Sequence, residues 1–419
     1  HEGRDALFEF DIEEGSLGNL VFAHPEFDVT GAHYNEALKK IVGANFTADA
    51  PEVAFFDAAA EKEQLSIDRS MRKVKGKKTV NRIISATADG NLTIVEVSNQ
   101  TQPPIYFAYD RSKKEMNLVF EHRPALPVDR LAEVARINFA ARDAAMIPGY
   151  LTRPRNSGSE KLPMIVIPHD GPSARDSMVY NPVVQFFANR GYAVLQVNER
   201  GSRGFGREFQ RAGYIDWGRG IRDDITDGVK WAIAVGIADP ERIGIFGTGY
   251  GGYAALMGLL TSPELYRAGA SYAAPTDLEM LARGDGDFLW EMGMHREPLG
   301  ETGPDRERLR QNSLLHRVDE FRVPVLLGHG TRDSRVAVAH ARNLNAALET
   351  AGKSVKYLEY GDEFQNFVLE SSRIDFYTQL LSFFETNLGV GASSLEGPQA
   401  SVVGDSKDAS AVPAGGTQD

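Results

Sequence analysis

From about residue 130 onward the sequence alternates apolar segments with amphipathic ones, and this alternation constrains the fold more than any other feature. An apolar segment at 164–168 is followed by an amphipathic segment at 182–189. A helical spacing of four residues then appears at Ile221, Ile225 and Val229. Because strands that alternate with helices form a mostly parallel sheet, the predicted fold class is α/β with a doubly wound sheet.

The same alternation continues to about residue 388. Further strands are predicted at 192–198, 243–246, 268–273, 324–328 and 355–359. Late helices are predicted at 337–350 and 373–387. These elements predict one α/β domain that extends from residue 126 to residue 388.

Residues 1–125 show short alternating strands separated by turn residues, which predicts β structure throughout this segment. An aromatic strand end closed by an aspartate recurs at Asp11, Asp57 and Asp110. The spacings of 46 and 53 residues are close to the length of one four-stranded propeller blade. A closed propeller needs about four to eight blades, so the segment predicts a partial β-propeller of about two or three. Its open edges predict a partner chain or fragment that supplies the missing blades.

Composition limits the remaining possibilities. The net charge is −12 and basic residues form no run, which argues against a nucleic-acid partner. The chain has no cysteine, so disulfides and thiolate metal sites are excluded, and no metal or cofactor is predicted. No apolar run reaches the length of a membrane-spanning helix. The first residue is His1, which with the missing cysteines favours a periplasmic or extracellular protein, with the cytoplasm as the alternative.

Residues 389–419 are predicted to form a disordered tail. Glycine, alanine and serine make up 16 of these 31 residues, and none is aromatic. Such a segment buries too little apolar surface to offset the entropy of ordering.

A glycine-rich turn at 247–252 follows the predicted strand at 243–246 and precedes an apolar helical segment. In α/β-hydrolases a nucleophilic serine occupies the centre of a G-x-S-x-G turn, where the strained backbone lifts its side chain above the sheet. In this sequence the central residue is Gly249.

The segment from 130 to 388 resembles the catalytic domain of the prolyl oligopeptidase family, the S9 serine peptidases, especially the acylaminoacyl-peptidase and oligopeptidase branch. The strands before it resemble the propeller of that family. Five segments resemble family motifs in the same order: 169–172, 198–206, 223–232, 329–336 and 360–367. The resemblance implies an α/β-hydrolase fold.

The resemblance also implies where the catalytic groups stand. It places Gly249 at the nucleophile, Asp333 at the triad acid and Gln365 at the triad base. Glycine has no nucleophilic atom, and a carboxamide does not titrate near neutral pH, so two of the three triad roles are empty. The oxyanion-hole-like residues are Asp170, Gly171 and Tyr250. Asp170 stands where the family has glycine, and a carboxylate facing the hole would repel a developing oxyanion.

Several other residues are candidates with an ordinary structural alternative. A possible ligand cleft is formed by His169, Arg200, Arg203 and Gly251. His169 is also interpretable as a loop-packing residue, and the two arginines as ion-pair partners that stiffen their loop. Asp333 is predicted to pair with Gln365, Arg332 or Arg335. The hydroxyls of Thr248, Ser173 and Ser202 are not expected to replace the nucleophile, and His340 is expected to be an ordinary helical residue.

Three functions remain open at this point. The favoured hypothesis is a catalytically inactive peptidase-like protein that binds a protein partner or peptide, or serves as a scaffold subunit in an assembly. The second is an active serine peptidase or acyl-peptide hydrolase whose nucleophile has been replaced deliberately. The third is dinucleotide binding at the G-x-G-x-x-G pattern of residues 247–252, which is weak because Asp277, the nearest acidic candidate, lies 30 residues after Gly247.

Overall fold

The fold is described from a computed structural model. It describes residues 1–71, 73–74, 77–158, 161–214, 217, 220–283, 299 and 303–389. The predicted tail lies outside the described residues except for Gly389.

The large sheet has eight strands, of which the first two are antiparallel to their neighbours and the rest are parallel. Its strands, numbered from β12 because eleven precede them, are β12 (Val134–Ala140), β13 (Met146–Thr152), β14 (Leu162–Val166), β15 (Ala193–Val197), β16 (Ala238–Thr248), β17 (Ala268–Tyr272), β18 (Val325–Gly330) and β19 (Val355–Tyr360). Their order is β12-β13-β15-β14-β16-β17-β18-β19. From β15 to β19 every neighbouring pair is parallel, so the predicted doubly wound, mostly parallel sheet is confirmed.

Helices cover both faces of this sheet. They are α2 (Pro182–Ala188), α3 (Arg207–Arg211), α4 (Gly220–Ala234), α5 (Tyr250–Thr261), α6 (Leu278–Arg283), α7 (Arg306–Gln311), α8 (Ala339–Thr350) and α9 (Glu370–Leu388). Two separate clusters of buried apolar side chains result, one on each face. The predicted strands and helices fall on these elements, although β16 begins five residues earlier than the sequence indicated. The strand centre at 243–246 is the part with continuous apolar character, and the earlier residues carry charge.

The strands before residue 122 form smaller antiparallel sheets. The strands are β1 (Leu7–Asp11), β2 (Ser16–Phe22), β3 (Val29–Asn35), β4 (Lys40–Thr47), β5 (Pro51–Phe55), β6 (Lys73–Val74), β7 (Lys77–Lys78), β8 (Val80–Ala86), β9 (Leu92–Asn99), β10 (Gln102–Asp110) and β11 (Glu115–Glu121). Strands β8 to β11 form one four-stranded meander, as a propeller blade does, while β3 to β5 form a three-stranded sheet and β1 and β2 a hairpin. We call residues 7–121 the blade region and residues 134–388 the hydrolase-type region.

The three recurring aspartates have two different uses. Asp11 closes the β1–β2 hairpin by accepting from the N–H groups of Glu13 and Glu14. Asp110 closes the β10–β11 hairpin in a similar way, by accepting from the N–H of Lys113. These two hairpins are therefore true structural repeats.

Asp57 instead caps a helix, α1 (Ala58–Ser70), by accepting from the N–H groups of Ala59 and Ala60. The prediction of β structure throughout residues 1–125 was therefore wrong at this segment. Aspartate followed by three alanines and a glutamate is a good helix start, since aspartate satisfies the free N–H groups and alanine has the highest helix propensity.

Hydrogen bonds join the blade region to the hydrolase-type region. Asp28 accepts from the N–H of Gly206 at 3.0 Å. Arg175 donates from Nη1 to the carbonyl of Thr47 at 2.9 Å and from Nη2 to that of Ala48 at 2.8 Å. The Arg175 guanidinium also lies 4.2 Å from the ring centroid of Phe205, a cation–π distance. The predicted domain boundaries at 125/126 and 388/389 stay predictions.

Within the described ranges, no helix has both the length and the apolar character needed to cross a membrane.

Candidate active-site cleft

The candidate site lies where the parallel sheet changes its direction of growth. Strand β15 adds to one side of β14, and β16 adds to the other. In open α/β sheets this switch point leaves a crevice at the carboxyl ends of the strands. The loop after β14 carries Asp170, and the turn after β16 carries Gly249, so both residues stand at the rim of that crevice.

Gly249 adopts the backbone of a strained elbow between β16 and α5, with φ 54° and ψ −127°. Two neighbouring glycines permit the close approach on which this turn depends. A Cβ at Gly247 would lie 2.6 Å from the amide nitrogen of Gly252, and a Cβ at Gly251 would lie 2.8 Å from the carbonyl oxygen of His169. The glycine pattern is therefore explained by packing of strand, turn and loop, and it needs no dinucleotide.

The carboxylate of Asp170 occupies the space beside the elbow. Its Oδ1 accepts from the N–H of Tyr250 at 2.8 Å and from the N–H of Gly171 at 2.9 Å. A Cβ at Gly249 would lie only 2.8 Å from both Cγ and Oδ2 of this carboxylate. The predicted oxyanion-hole-like residues thus come together, with the carboxylate of Asp170 bound to the N–H groups of Tyr250 and Gly171.

Burial raises the pKa of Asp170, and the hydrogen bonds from Tyr250 and Gly171 partly offset this effect. The charge of Arg335 also lowers the pKa of Asp170. The carboxyl group is therefore held by opposing influences, a desolvated position on one side and N–H donors with a nearby cation on the other.

Gln365 lies in the loop after β19 and links Asp170 to Arg335. Its Nε2 donates to Asp170 Oδ2 at 3.2 Å, and its Oε1 accepts from Arg335 Nη1 at 3.0 Å. A carboxamide suits this place because it offers a donor to the carboxylate and an acceptor to the guanidinium. The resulting chain of Asp170, Gln365 and Arg335 ties together the loops after β14, β18 and β19.

One sequence hypothesis held that Asp333 pairs with the side chain of Gln365. The structure does not show this pair. Asp333 Oδ1 accepts from the backbone N–H groups of Arg335 and Val336 at 2.9 and 3.0 Å, and closes its own turn. Arg332 instead pairs with Asp362. Of the three predicted donors only Arg335 contacts the Asp333 carboxylate, through its backbone N–H, while the side chain of Gln365 donates to Asp170.

The second carboxylate oxygen of Asp333 is buried and makes no hydrogen bond within the described part of the chain. His329 Nε2 lies 3.4 Å from this oxygen, but that nitrogen already donates to the carbonyl of Val336 at 2.8 Å. A buried acceptor without a full donor is costly, and a donor from a triad histidine would satisfy it. Asp333 Oδ2 therefore remains an acceptor without a partner in the described part of the chain, and Gln365 does not donate to it.

His169 is buried beside Ser202 and Glu199. Its Nδ1 donates to the carbonyl of Asp170 at 2.7 Å, and its Nε2 lies 2.8 Å from Ser202 Oγ. The Ser202 hydroxyl donates to the carbonyl of Glu199 at 2.6 Å, and Ser202 is fully buried. Both side chains are buried and bonded to neighbouring loop carbonyls, so this serine–histidine pair holds the loop in place.

Two buried carboxyl groups near His169 were not singled out from the sequence. Burial raises the pKa of Glu199 well above its usual range, and it raises the pKa of Asp176 to about 6. Glu199 lies within a family-like motif, but nothing in the sequence shows that its carboxylate turns inward.

The two arginines of the predicted ligand cleft have different surroundings. Arg200 binds Asp224 through its Nε and Nη2 atoms at 2.9 and 2.6 Å, and also pairs with Asp143. Its guanidinium is engaged in this ion pair instead of facing a ligand, because the acidic start of α4 lies directly beside its loop. Arg203 is exposed, and Gly251 is buried under the loop of His169.

His340 lies buried on α8, where its Nδ1 accepts from the N–H of Thr276 at 3.1 Å. Burial lowers the pKa of His340 to about 4, so it is neutral at neutral pH. Over the described residues, no group of three or more histidine, aspartate or glutamate side chains has the arrangement of a metal site.

Comparison with known proteins identifies the family of this chain. The sequence model of the prolyl oligopeptidase family matches residues 178–391, about half of the chain. The chain belongs to the prolyl oligopeptidase family. Dipeptidyl aminopeptidase BIII from Pseudoxanthomonas mexicana is 31% identical over 396 residues, which cover 92% of this chain and 56% of that protein. Dipeptidyl peptidase family member 6 from Caenorhabditis elegans is 30% identical over 334 residues, covering 73% and 45%. The chain spans about half the length of the curated relatives it matches.

Solved structures of peptidases share the fold. A Mycobacterium tuberculosis puromycin-hydrolyzing peptidase superposes with a TM-score of 0.77 at 20% identity, covering 93% of this chain and 59% of the other. The acylaminoacyl peptidase of Pyrococcus horikoshii gives a TM-score of 0.72 at 22% identity, covering 90% and 58%. The α/β-hydrolase fold preceded by a partial propeller is therefore confirmed for this family member.

Proposed function

We propose that this chain is a catalytically inactive member of the prolyl oligopeptidase family that acts by binding a protein partner or peptide. The observation that carries this proposal is the carboxylate of Asp170. It takes the N–H donors of Tyr250 and Gly171, and it fills the space in which a side chain at Gly249 would stand.

The chemical argument concerns what remains after a triad is lost. Removal of the triad costs about 10⁶ in turnover, and the remaining ~10³ to 10⁴ over water comes from the oxyanion hole and substrate binding. At Asp170 a carboxyl oxygen already accepts from both N–H groups of the predicted hole. A substrate oxyanion would have to displace this carboxylate, so even the residual rate enhancement is lost.

The test uses a fluorophosphonate probe together with a chromogenic acyl ester and an aminoacyl anilide. We expect no covalent labelling of the purified protein and no hydrolysis above the rate without protein. The triple variant Asp170→Gly, Gly249→Ser, Gln365→His supplies the matched positive control, because it restores the residues that the family motifs carry. Stoichiometric labelling of the unaltered protein would contradict the proposal.

The blade region supports a scaffold role. Apolar side chains on β2 and β11 are exposed, including Leu17, Leu118 and Phe120. Exposed apolar strands of this kind mark interaction surfaces, because unpaired sheet faces and edges associate with other chains. The proposed partner is a chain or fragment that supplies further blades.

The partner proposal is tested by purification from the native source and mass spectrometry of the proteins that co-elute. We expect a polypeptide with blade-type strand repeats. A variant with Leu118→Asp and Phe120→Asp should lose this partner, whereas Val368→Asp, at an exposed position of the hydrolase-type region, should retain it. If both variants retain the same partner, it binds elsewhere and the proposed surface is wrong.

A further inference from the structure

A cavity of about 510 Å³ lies between the segment that follows β11 and the helices α2 and α9. None of its lining residues belongs to the cleft described above. The volume lies within the range of small-molecule sites, roughly 300 to 1,000 Å³. The cavity is therefore large enough for a ligand of its own.

The charge of this cavity is opposite to that of the chain. Four arginines line it, namely Arg123, Arg130, Arg190 and Arg373. Among the described residues that line it, none is an aspartate or a glutamate. Because the chain carries a net charge of −12, a local cluster of four cations without a carboxylate is the reverse of its average surface.

The nearest carboxylates neutralise this cluster only in part. Arg373 lies 3.4 Å from Glu370, and both side chains are largely exposed, which makes the pair weak. Burial lowers the pKa of Arg190, and the charge of Glu385 partly offsets this effect. The arginines that line the cavity therefore carry positive charge that can interact with a ligand.

Arg123 shows where an additional acceptor is needed. Its Nε is buried and has no hydrogen-bond partner among the described residues. A buried donor of a charged group without an acceptor is unfavourable, and Arg123 is one of the residues that line the cavity. Burial also raises the pKa of Tyr180, so that its hydroxyl stays protonated and can donate to the same anion.

The rest of the lining is apolar and aromatic. The guanidinium of Arg190 lies 3.9 Å from the ring centroid of Phe186 and donates to the Phe186 carbonyl at 3.0 Å, which fixes its position. Tyr377 and Ile374 of α9 also line the cavity, and Ile374 is exposed. A ligand that fits must combine an anionic group with an apolar body.

We propose that this cavity, bounded by Arg123, Arg130 and Phe186, binds a small organic anion that carries a carboxylate or phosphate on an aromatic or hydrocarbon body. The arginines and Tyr180 receive the anionic group, and the aromatic side chains pack against the body. The site is independent of the cleft and of whether the cleft is catalytically inactive.

The test is isothermal titration calorimetry of the full chain with four probes: 1-naphthyl phosphate, 1-naphthoate, 1-naphthol and inorganic phosphate. We expect at least one of the two naphthyl anions to bind about tenfold or more tightly than both 1-naphthol and inorganic phosphate, since it engages charge and apolar surface together. The two anions distinguish a phosphate from a carboxylate preference. Binding of neither anion above 1-naphthol and inorganic phosphate would overturn the proposal.

Three arginine variants locate the site. Arg123→Gln and Arg130→Gln are each expected to weaken the naphthyl anion about three- to tenfold, whereas Arg310→Gln on α7 serves as the matched exposed control and leaves the affinity unchanged. Arg130 is exposed, so its variant folds even if Arg123→Gln does not. Equal affinity in Arg130→Gln and Arg310→Gln would place the binding elsewhere and overturn the assignment.

Discussion

The blade region and the hydrolase-type region differ in how far they bury their apolar side chains. In the hydrolase-type region Phe187 and Phe384 are completely buried between the sheet and its helices. In the blade region Phe10 is 60% exposed and Phe120 is 54% exposed, although both lie on paired strands. A sheet covered on both faces completes its own core, whereas a small antiparallel sheet or hairpin can leave one face in water. The blade region is therefore the part whose side chains are suited to association.

Two phenylalanine truncations test whether the two regions differ in how well they bury their apolar side chains. Phe187→Ala is expected to lower the free energy of unfolding by about 3 to 5 kcal/mol, because it opens a cavity in a closed core. Phe10→Ala should lower it by less than about 1 kcal/mol in the isolated protein. Denaturant titration measures both values. Equal losses would mean that the blade region buries Phe10 in solution and that the contrast does not hold.

A second experiment tests whether the carboxylate of Asp170 occupies the space that a side chain at position 249 would need. Gly249→Ser is expected to destabilise the protein by about 2 to 3 kcal/mol, because the new Cβ meets the carboxylate of Asp170 and the backbone has positive φ. Addition of Asp170→Gly should recover most of this loss, which a double-mutant cycle of unfolding free energies measures.

Two controls accompany this cycle. Gly249→Ala should cost as much as Gly249→Ser, since the clash begins at Cβ, and Gly361→Ser should be tolerated because nothing lies within 4 Å of its Cβ position. Additive effects of the changes at 249 and 170 would show that the carboxylate does not occupy that space.

The smallest expected effect concerns the partly satisfied carboxyl group of Asp176, which lies near His169. Burial raises the pKa of Asp176 to about 6, and its Oδ2 has no hydrogen-bond partner in the described ranges. Since the folded state holds this proton more tightly than the unfolded state, its contribution to stability is lost as pH rises from about 4 to about 6. Asp176→Asn should remove this decline and stabilise the protein at pH 7 by about 1 to 2 kcal/mol.

Thermal unfolding as a function of pH checks this expectation. Asp362→Asn, which changes an exposed aspartate, is the matched control and should leave the pH profile unaltered. A steeper decline with rising pH in Asp176→Asn than in the unaltered protein would reverse the assigned sign.

Much of the hydrolase-type region could be predicted because its strands are continuous apolar segments and its helices have a clear apolar face. Strand β14 and helix α4 are examples, and both were located from pattern alone. Helix α1 was missed because its few buried residues, Ala60 and Ile67, give little periodic signal between the surrounding strands. Local pattern predicts an element well when tertiary packing agrees with it, and α1 is held mainly by its cap and composition.

The sequence indicated which residues to compare, but not their hydrogen bonds. The family resemblance assigned residues 170, 249, 333 and 365 to one set of positions, and the structure brings Asp170, Gln365 and Gly249 together. The sequence could not show that Gln365 bonds to Asp170 and Arg335, nor that Asp333 closes its own turn. Such choices depend on rotamers and on which donor is nearest, and these are fixed only by packing.

Arg175 lies five residues after Asp170. It donates hydrogen bonds to the carbonyls of Thr47, at the end of β4, and of Ala48, which follows it. The segment that carries Asp170 is thus connected at one end to the carboxyl end of β14 and at the other to the blade region. Any displacement of that blade loop must either rupture both of these bonds or drag the segment along with it. The loop that carries Asp170 and this part of the blade region are therefore coupled through Arg175.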